Sequence, residues 1–160
     1  MANVKLAYAG PTNITITLGS PLTNGSCRGS VYVDNSANLY EDAEIYLAIK
    51  LAAGSPASDK AINVYAYGSV DGTNFTDNAL GTDAAITLRV PTNLRHIGTI
   101  STPDSGALTY KAVIPSIAAA FGGWLPKYWG IAVENRTGLS FDSTEGNFTK
   151  QYLAIYHTVS

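Results

Sequence analysis

The chain has 160 residues with a net charge of −2, enough length for one domain that buries roughly 70 % of its unfolded surface without disulfides or metals. Charged residues make up only 14 % of it, and the scattered Lys and Arg form no basic footprint, which excludes nucleic acid and anionic lipid as expected partners. No apolar run approaches the roughly 20 residues of a membrane-spanning helix, and Met1–Lys5 lacks the pattern of a secretory signal, so synthesis in a cytoplasm is expected.

Residues 1–12 are mildly apolar and end at Gly10-Pro11; they read as an N-terminal arm that orders against a neighbour, or as a first edge strand. Asn13–Leu18 (N-I-T-I-T-L) alternates β-branched and polar residues, which suits a half-buried strand. Gly19–Gly29 is turn-rich, and Ser30–Val33 is a short strand. Glu44–Leu51 puts Ile45, Leu47, Ile49 and Leu51 on one face with the period of two that a strand requires. Ala52–Lys60 is a surface loop.

Ile62–Phe75 begins as a strand with Ile62, Val64 and Ala66 on one side and Tyr65 and Tyr67 on the other. It turns at Gly68 and at Asp71-Gly72, where a residue without Cβ reaches positive φ freely. Ile86–Val90 is a short strand stopped by Pro91, and Leu94–Ile100 is another, with a bulge expected at Gly98. Beyond the turn Thr102–Gly106, Leu108–Ile114 is expected to pair back onto it as a hairpin.

Ser116–Phe121 is the one helix-like run, capped by Ser116 and stopped by Gly122-Gly123. Tyr128–Asn135 places Trp129, Ile131 and Val133 together, and Tyr152–Val159 places Tyr152 and Tyr156 opposite Leu153 and Ile155. Roughly eight or nine short strands with one short helix predict an all-β fold, an antiparallel β-sandwich of jelly-roll type. A single domain spanning 13–160 is expected, with Ile45, Leu47, Ile49, Val64, Ile131 and Val133 in its core.

No catalytic constellation can be named. His96 and His157 have no partner at metal-ligand spacing, and there is no G-x-S-x-G elbow or phosphate-binding G-K-[ST] loop. Cys27 reads as a small, partly buried thiol. Asp71, Asn74 and Asp77 carry oxygen ligands that calcium accepts, but their spacing departs from an EF-hand and suits ordinary turns, so no cofactor or metal is expected. The five sequons, at Asn13, Asn24, Asn74, Asn135 and Asn147, read as accidents of a Thr- and Asn-rich composition.

Tyr46, Tyr65, Tyr67, Tyr152 and Tyr156 each fall opposite the expected core face of their strand, and Trp124 lies in a Gly-Gly-Trp-Leu-Pro loop. These six are the candidate interaction residues, for an identical subunit or for the face of a sugar; the alternative for the tyrosines is a second apolar layer, or cross-strand pairs within one sheet. Trp129 is expected in the core.

The segments A-I-N-V-Y-A-Y-G-S-V-D-G-T-N-F-T-D at 61–77, L-R-H-I-G-T-I at 94–100 and A-A-A-F-G-G-W-L-P-K-Y-W-G-I-A-V-E-N at 118–135 resemble those of small structural proteins of tailed bacteriophages. The closing L-S-F-D-S-T-E-G-N-F and K-Q-Y fit the same resemblance. It implies a virion protein made in the host bacterial cytoplasm, a capsid decoration (cement) protein that binds the major capsid protein or other virion proteins, acts as a homotrimer and catalyses nothing. The rival expectation is a carbohydrate-binding or host-adhesion module of a tail or fibre, with Tyr65, Tyr67, Trp124 or Trp129 as stacking platforms. A small hydrolase is a third.

Overall fold

Alternating apolar residues build two antiparallel sheets, of four and six strands, packed face to face. The computed structural model describes residues 3–20 and 22–159; Met1 and Ala2 of the expected arm, Pro21 of the expected turn, and Ser160 lie outside the described residues. In chain order the strands are β1 (Val4–Asn13), β2 (Cys27–Gly29), β3 (Val33–Asp34), β4 (Asp42–Lys50), β5 (Ala61–Ser69), β6 (Ala84–Ile86), β7 (Arg95–Ser101), β8 (Thr109–Ile114), β9 (Tyr128–Arg136) and β10 (Thr149–Val159). Ala118–Phe121 and Glu145–Asn147 are 3-10 turns, and no α-helix occurs among the described residues.

The pairing is nested. β1 pairs with β10, β2 with β9, β4 with β8 and β5 with β7, so the chain folds like one long hairpin wrapped upon itself. The cross-pairs β10–β4 and β9–β5 knit these into the orders β1-β10-β4-β8 and β6-β2-β9-β5-β7, with β3 on β9. That is the jelly-roll arrangement. It overturns the expected hairpin of Leu94–Ile100 with Leu108–Ile114: β7 and β8 lie in different sheets, and the turn between them carries the chain across the sandwich. The bulge at Gly98 is present, as a register shift where Val64 faces Gly98 and Tyr65 faces His96.

Ile45, Leu47, Ile49 and Leu51 meet Ile62, Val64, Ala66, Trp129, Ile131 and Val133 in the central core, as the alternation of each strand demands. All six residues expected in the core are fully buried. Asn13–Leu18 buries Ile14, Ile16 and Leu18 as expected but, past Asn13, joins no ladder. Its backbone is satisfied by both sheets: Ile14 N–H donates to the Lys150 carbonyl, and Val31 N–H donates to the Thr15 carbonyl. Glu145 accepts from Leu18 and Gly19 N–H, Lys150 donates to the Ile16 carbonyl, and Asp83 accepts from Thr17. The segment is a seam between the sheets.

Two short strands start earlier than expected, because β2 ends before Ser30 and β6 begins at Ala84. Of Ser116–Phe121 only Ala118–Phe121 is helical, as a 3-10 turn, the run being too short to nucleate an α-helix. Ser116 Oγ does accept the Ala119 N–H at 3.1 Å, and Gly122, at φ +84°, ends the turn.

Candidate interaction surface

The two outer faces of the sandwich differ. Residues 70–94, between β5 and β7, fold back onto the six-stranded sheet and cover part of its outer face, leaving His96 and Thr99 exposed. There Phe75, Ala79, Ile86, Leu88 and Leu94 cover Cys27, Tyr67 and Ala132. Tyr67 is wholly buried, and its hydroxyl donates to the Ser30 carbonyl at 2.6 Å. Burial pushes the phenol up to about 12. Tyr67 thus belongs to a second apolar layer and offers no surface. Burial, reinforced by the Glu134 charge, also holds the Cys27 thiol at about 12, which makes it inert.

Nothing among the described residues covers the other sheet. Partners in an antiparallel pair point the same way, so the core-facing Ile45 and Leu47 set the outward residues as Glu44 and Tyr46 on β4. Their neighbours Leu153 and Gln151 on β10 and Val113 on β8 share that face. Across β10 the face continues through Ile155, His157 and Val159 to Tyr8, Leu6 and Val4 on β1. Val4, Leu6, Tyr8, Val113 and Val159 are each more than half exposed. A shallow groove of about 260 Å³ runs over Pro11, Glu44, Tyr46, Val113, Gln151 and Leu153.

Among the described residues β1 is the edge of this sheet and pairs only with β10. The β10–β4 ladder stops at Ile155–Asp42, so Val4–Tyr8 and Ile155–Val159 continue as a two-stranded ribbon beyond the sandwich. On the ribbon's inner side Tyr156 packs against Tyr40, ring centroids 5.7 Å apart, and on its outer side His157 bonds Glu41 at 2.7 Å.

The six sequence candidates therefore scatter. Tyr46 is half-buried on the open face, and Tyr156 half-buried under the ribbon. Tyr65 sits on the opposite sheet, bonded to Glu134 at 3.1 Å and edge-on to His96; burial, with the Glu134 charge, raises its phenol to about 12. Tyr152, expected to face away from the core, is buried in it and meets the Trp129 ring edge-on at 5.3 Å. Trp129 is buried, so it cannot act as a stacking platform. Trp124 is 77 % exposed. It lines a second groove of about 430 Å³ with Asn35, Leu39, Tyr40 and Lys127. The exposed Val4, Leu6, Tyr8 and Val113 were not singled out in the sequence, although V-K-L-A-Y carries a period-two apolar signal.

The oxygen-rich turn has ordinary work. The Asp71 carboxylate accepts from Thr73 N–H, Asn74 N–H, the Asn74 amide and Ser69 Oγ, which hold it far below the usual carboxylate range. Asp77 is engaged separately, by Thr92 and Asn93. Among the described residues no group of three or more His, Cys, Asp or Glu converges as a metal site would require. Compared with known proteins, the chain matches no family model and no curated protein.

Proposed function

We propose that this chain is a non-enzymatic structural protein of a tailed-bacteriophage virion, a capsid decoration protein that binds and stabilises the assembled head. The observation that carries the proposal is the asymmetry of the sandwich: residues 70–94 cover part of one outer sheet face, while the other is left open, with apolar residues along Tyr46, Val113, Leu153 and β1. An exposed apolar area of this kind marks a contact surface. The phage-like segments add the class of partner, since 61–77, 94–100 and 118–135 supply β5, β7 and β9. The jelly roll alone does not choose, because capsid and lectin domains share it.

In this role the protein is made in the host cytoplasm and meets the major capsid protein on the finished shell. It binds the lattice better than free subunits and so shifts the equilibrium toward the shell. Many identical contacts act together, so each can be modest. The test is retention of the purified protein on expanded heads that lack it, measured by sedimentation.

The exposed Trp124 over its groove favours a second reading, a glycan-binding module of a tail or fibre. Retention on a glycan matrix that Trp124→Ala abolishes, with heads left bare, would select it.

A further inference from the structure

We infer that β1 is a self-pairing edge: two copies join through β1 in antiparallel register, with Leu6 on the two-fold axis, and fuse their four-stranded sheets into one of eight strands. Backbone direction gives the first argument. Glu41 N–H donates to the Ile155 carbonyl, on the β4 side of β10, and Ile14 N–H donates to the Lys150 carbonyl, on the β1 side. Backbone groups alternate sides along a strand, so Ala154, Tyr156 and Thr158 address β1. Their partners Ala9, Ala7 and Lys5 are thereby used up within the chain. The N–H and C=O groups of Val4, Leu6 and Tyr8 point to the open edge. An unpaired row of this kind is a template for another strand.

The register follows from the side chains. Centred on Leu6, the pairing sets Leu6 against its copy and Val4 against Tyr8 of the second chain, so all three exposed apolar residues gain a cross-strand partner. Lys5 then faces Ala7. Shifting the centre to Lys5 would oppose two ammonium groups directly, which cross-strand pairing disfavours. A two-stranded ribbon alone is marginal in water, and the ribbon of Val4–Tyr8 and Ile155–Val159, held to the body through Tyr40 and Glu41, would become the middle of a four-stranded patch. A strand meeting itself makes a closed isologous contact, not a growing chain.

The inference rests on the same open surface as the proposed function but not on the virion reading. Dimers that ignore heads would remove only that reading, and monomers that bind heads would remove only this one. The test is the mass of the full-length protein by light scattering, together with cysteine variants. Wild type is expected at twice the chain mass. Leu6→Cys should oxidise to a covalent dimer, since residues opposed in a ladder lie within disulfide reach; Val4→Cys alone should not, and Val4→Cys with Tyr8→Cys should. The buried Cys27 leaves the readout clean. Leu6→Lys should yield folded monomers. A monomer at every concentration, or no cross-link through Leu6→Cys, overturns the seam. A trimer joined through β1 and β8 overturns it too.

Discussion

Replacing Gly130 with alanine should be among the most damaging small changes in the molecule. The backbone of Gly130 is ordinary strand, so the cost comes from space. A Cβ there would lie 2.4 Å from both Cζ and Oη of Tyr67 and 2.9 Å from Ser30 Oγ. Comfortable separations are about 3.5–4.0 Å, so Tyr67 would have to retreat by more than about 1 Å. It cannot do so freely, being wholly buried and anchored to the Ser30 carbonyl. Overpacking costs about 1–3 kcal/mol. Losing the Tyr67–Ser30 bond costs about 1–3 kcal/mol more, and the smaller backbone entropy of alanine returns about 0.4–1 kcal/mol. A net loss of roughly 1–5 kcal/mol follows. Urea denaturation of Gly130→Ala would measure it. Tyr67→Leu, destabilising by itself, should partly rescue Gly130→Ala in a double-mutant cycle. A stability within about 0.5 kcal/mol of wild type would refute this account of the packing.

Three further outcomes follow from the same structure. The buried Asn135 amide donates to the Leu22 and Leu139 carbonyls, both at 2.7 Å, and its Oδ1 accepts from Thr137 N–H and Oγ1. Asn135→Ala should therefore cost about 3 kcal/mol or more in chemical denaturation; a neutral result would show that these carbonyls find other partners. Burial raises the Asp83 carboxyl, but the stronger pull of Arg28 and Thr17 leaves it below the usual range. A depressed carboxylate stabilises above its unfolded value of about 3.9, and the benefit is lost as pH falls through the lower folded value. The stability gap between wild type and Asp83→Asn should thus be full near neutrality and close below about pH 4, and a gap independent of pH would contradict it. Chelator treatment should leave the melting temperature unchanged, because Asp71 and Asp77 are saturated by their own turns; a drop of several degrees restored by calcium would contradict it.

The strands that read most clearly were those with an unbroken aliphatic or Trp row on one side only. Glu44–Leu51 and Tyr128–Asn135 carry Ile, Leu, Val and Trp inward against polar, small or tyrosine residues, so period and direction were both legible. Tyr152–Val159 was different. Both of its faces are apolar, so alternation was visible but not which side is inside; the core took Tyr152 and Ala154 and left Leu153 and Ile155 outward. The β7–β8 hairpin misled because nearness along the chain is a local cue, whereas the nested pairing joins β8 to β4. For Ile14–Leu18 the decisive groups, Asp83, Glu145 and Lys150, lie far along the chain, and nothing local announces them. The open surface was least legible of all. Which outer face residues 70–94 would partly cover depends on the completed sandwich.

The most direct measurement of the central claim is the melting temperature of expanded heads prepared without this protein, with and without its addition. The account predicts that wild type raises it, by binding the shell preferentially. A Val113→Glu variant, which charges the open face at a residue that is 61 % exposed, should fold normally and lose the effect. Folded wild-type protein that leaves the melting temperature of the heads unchanged would contradict the account.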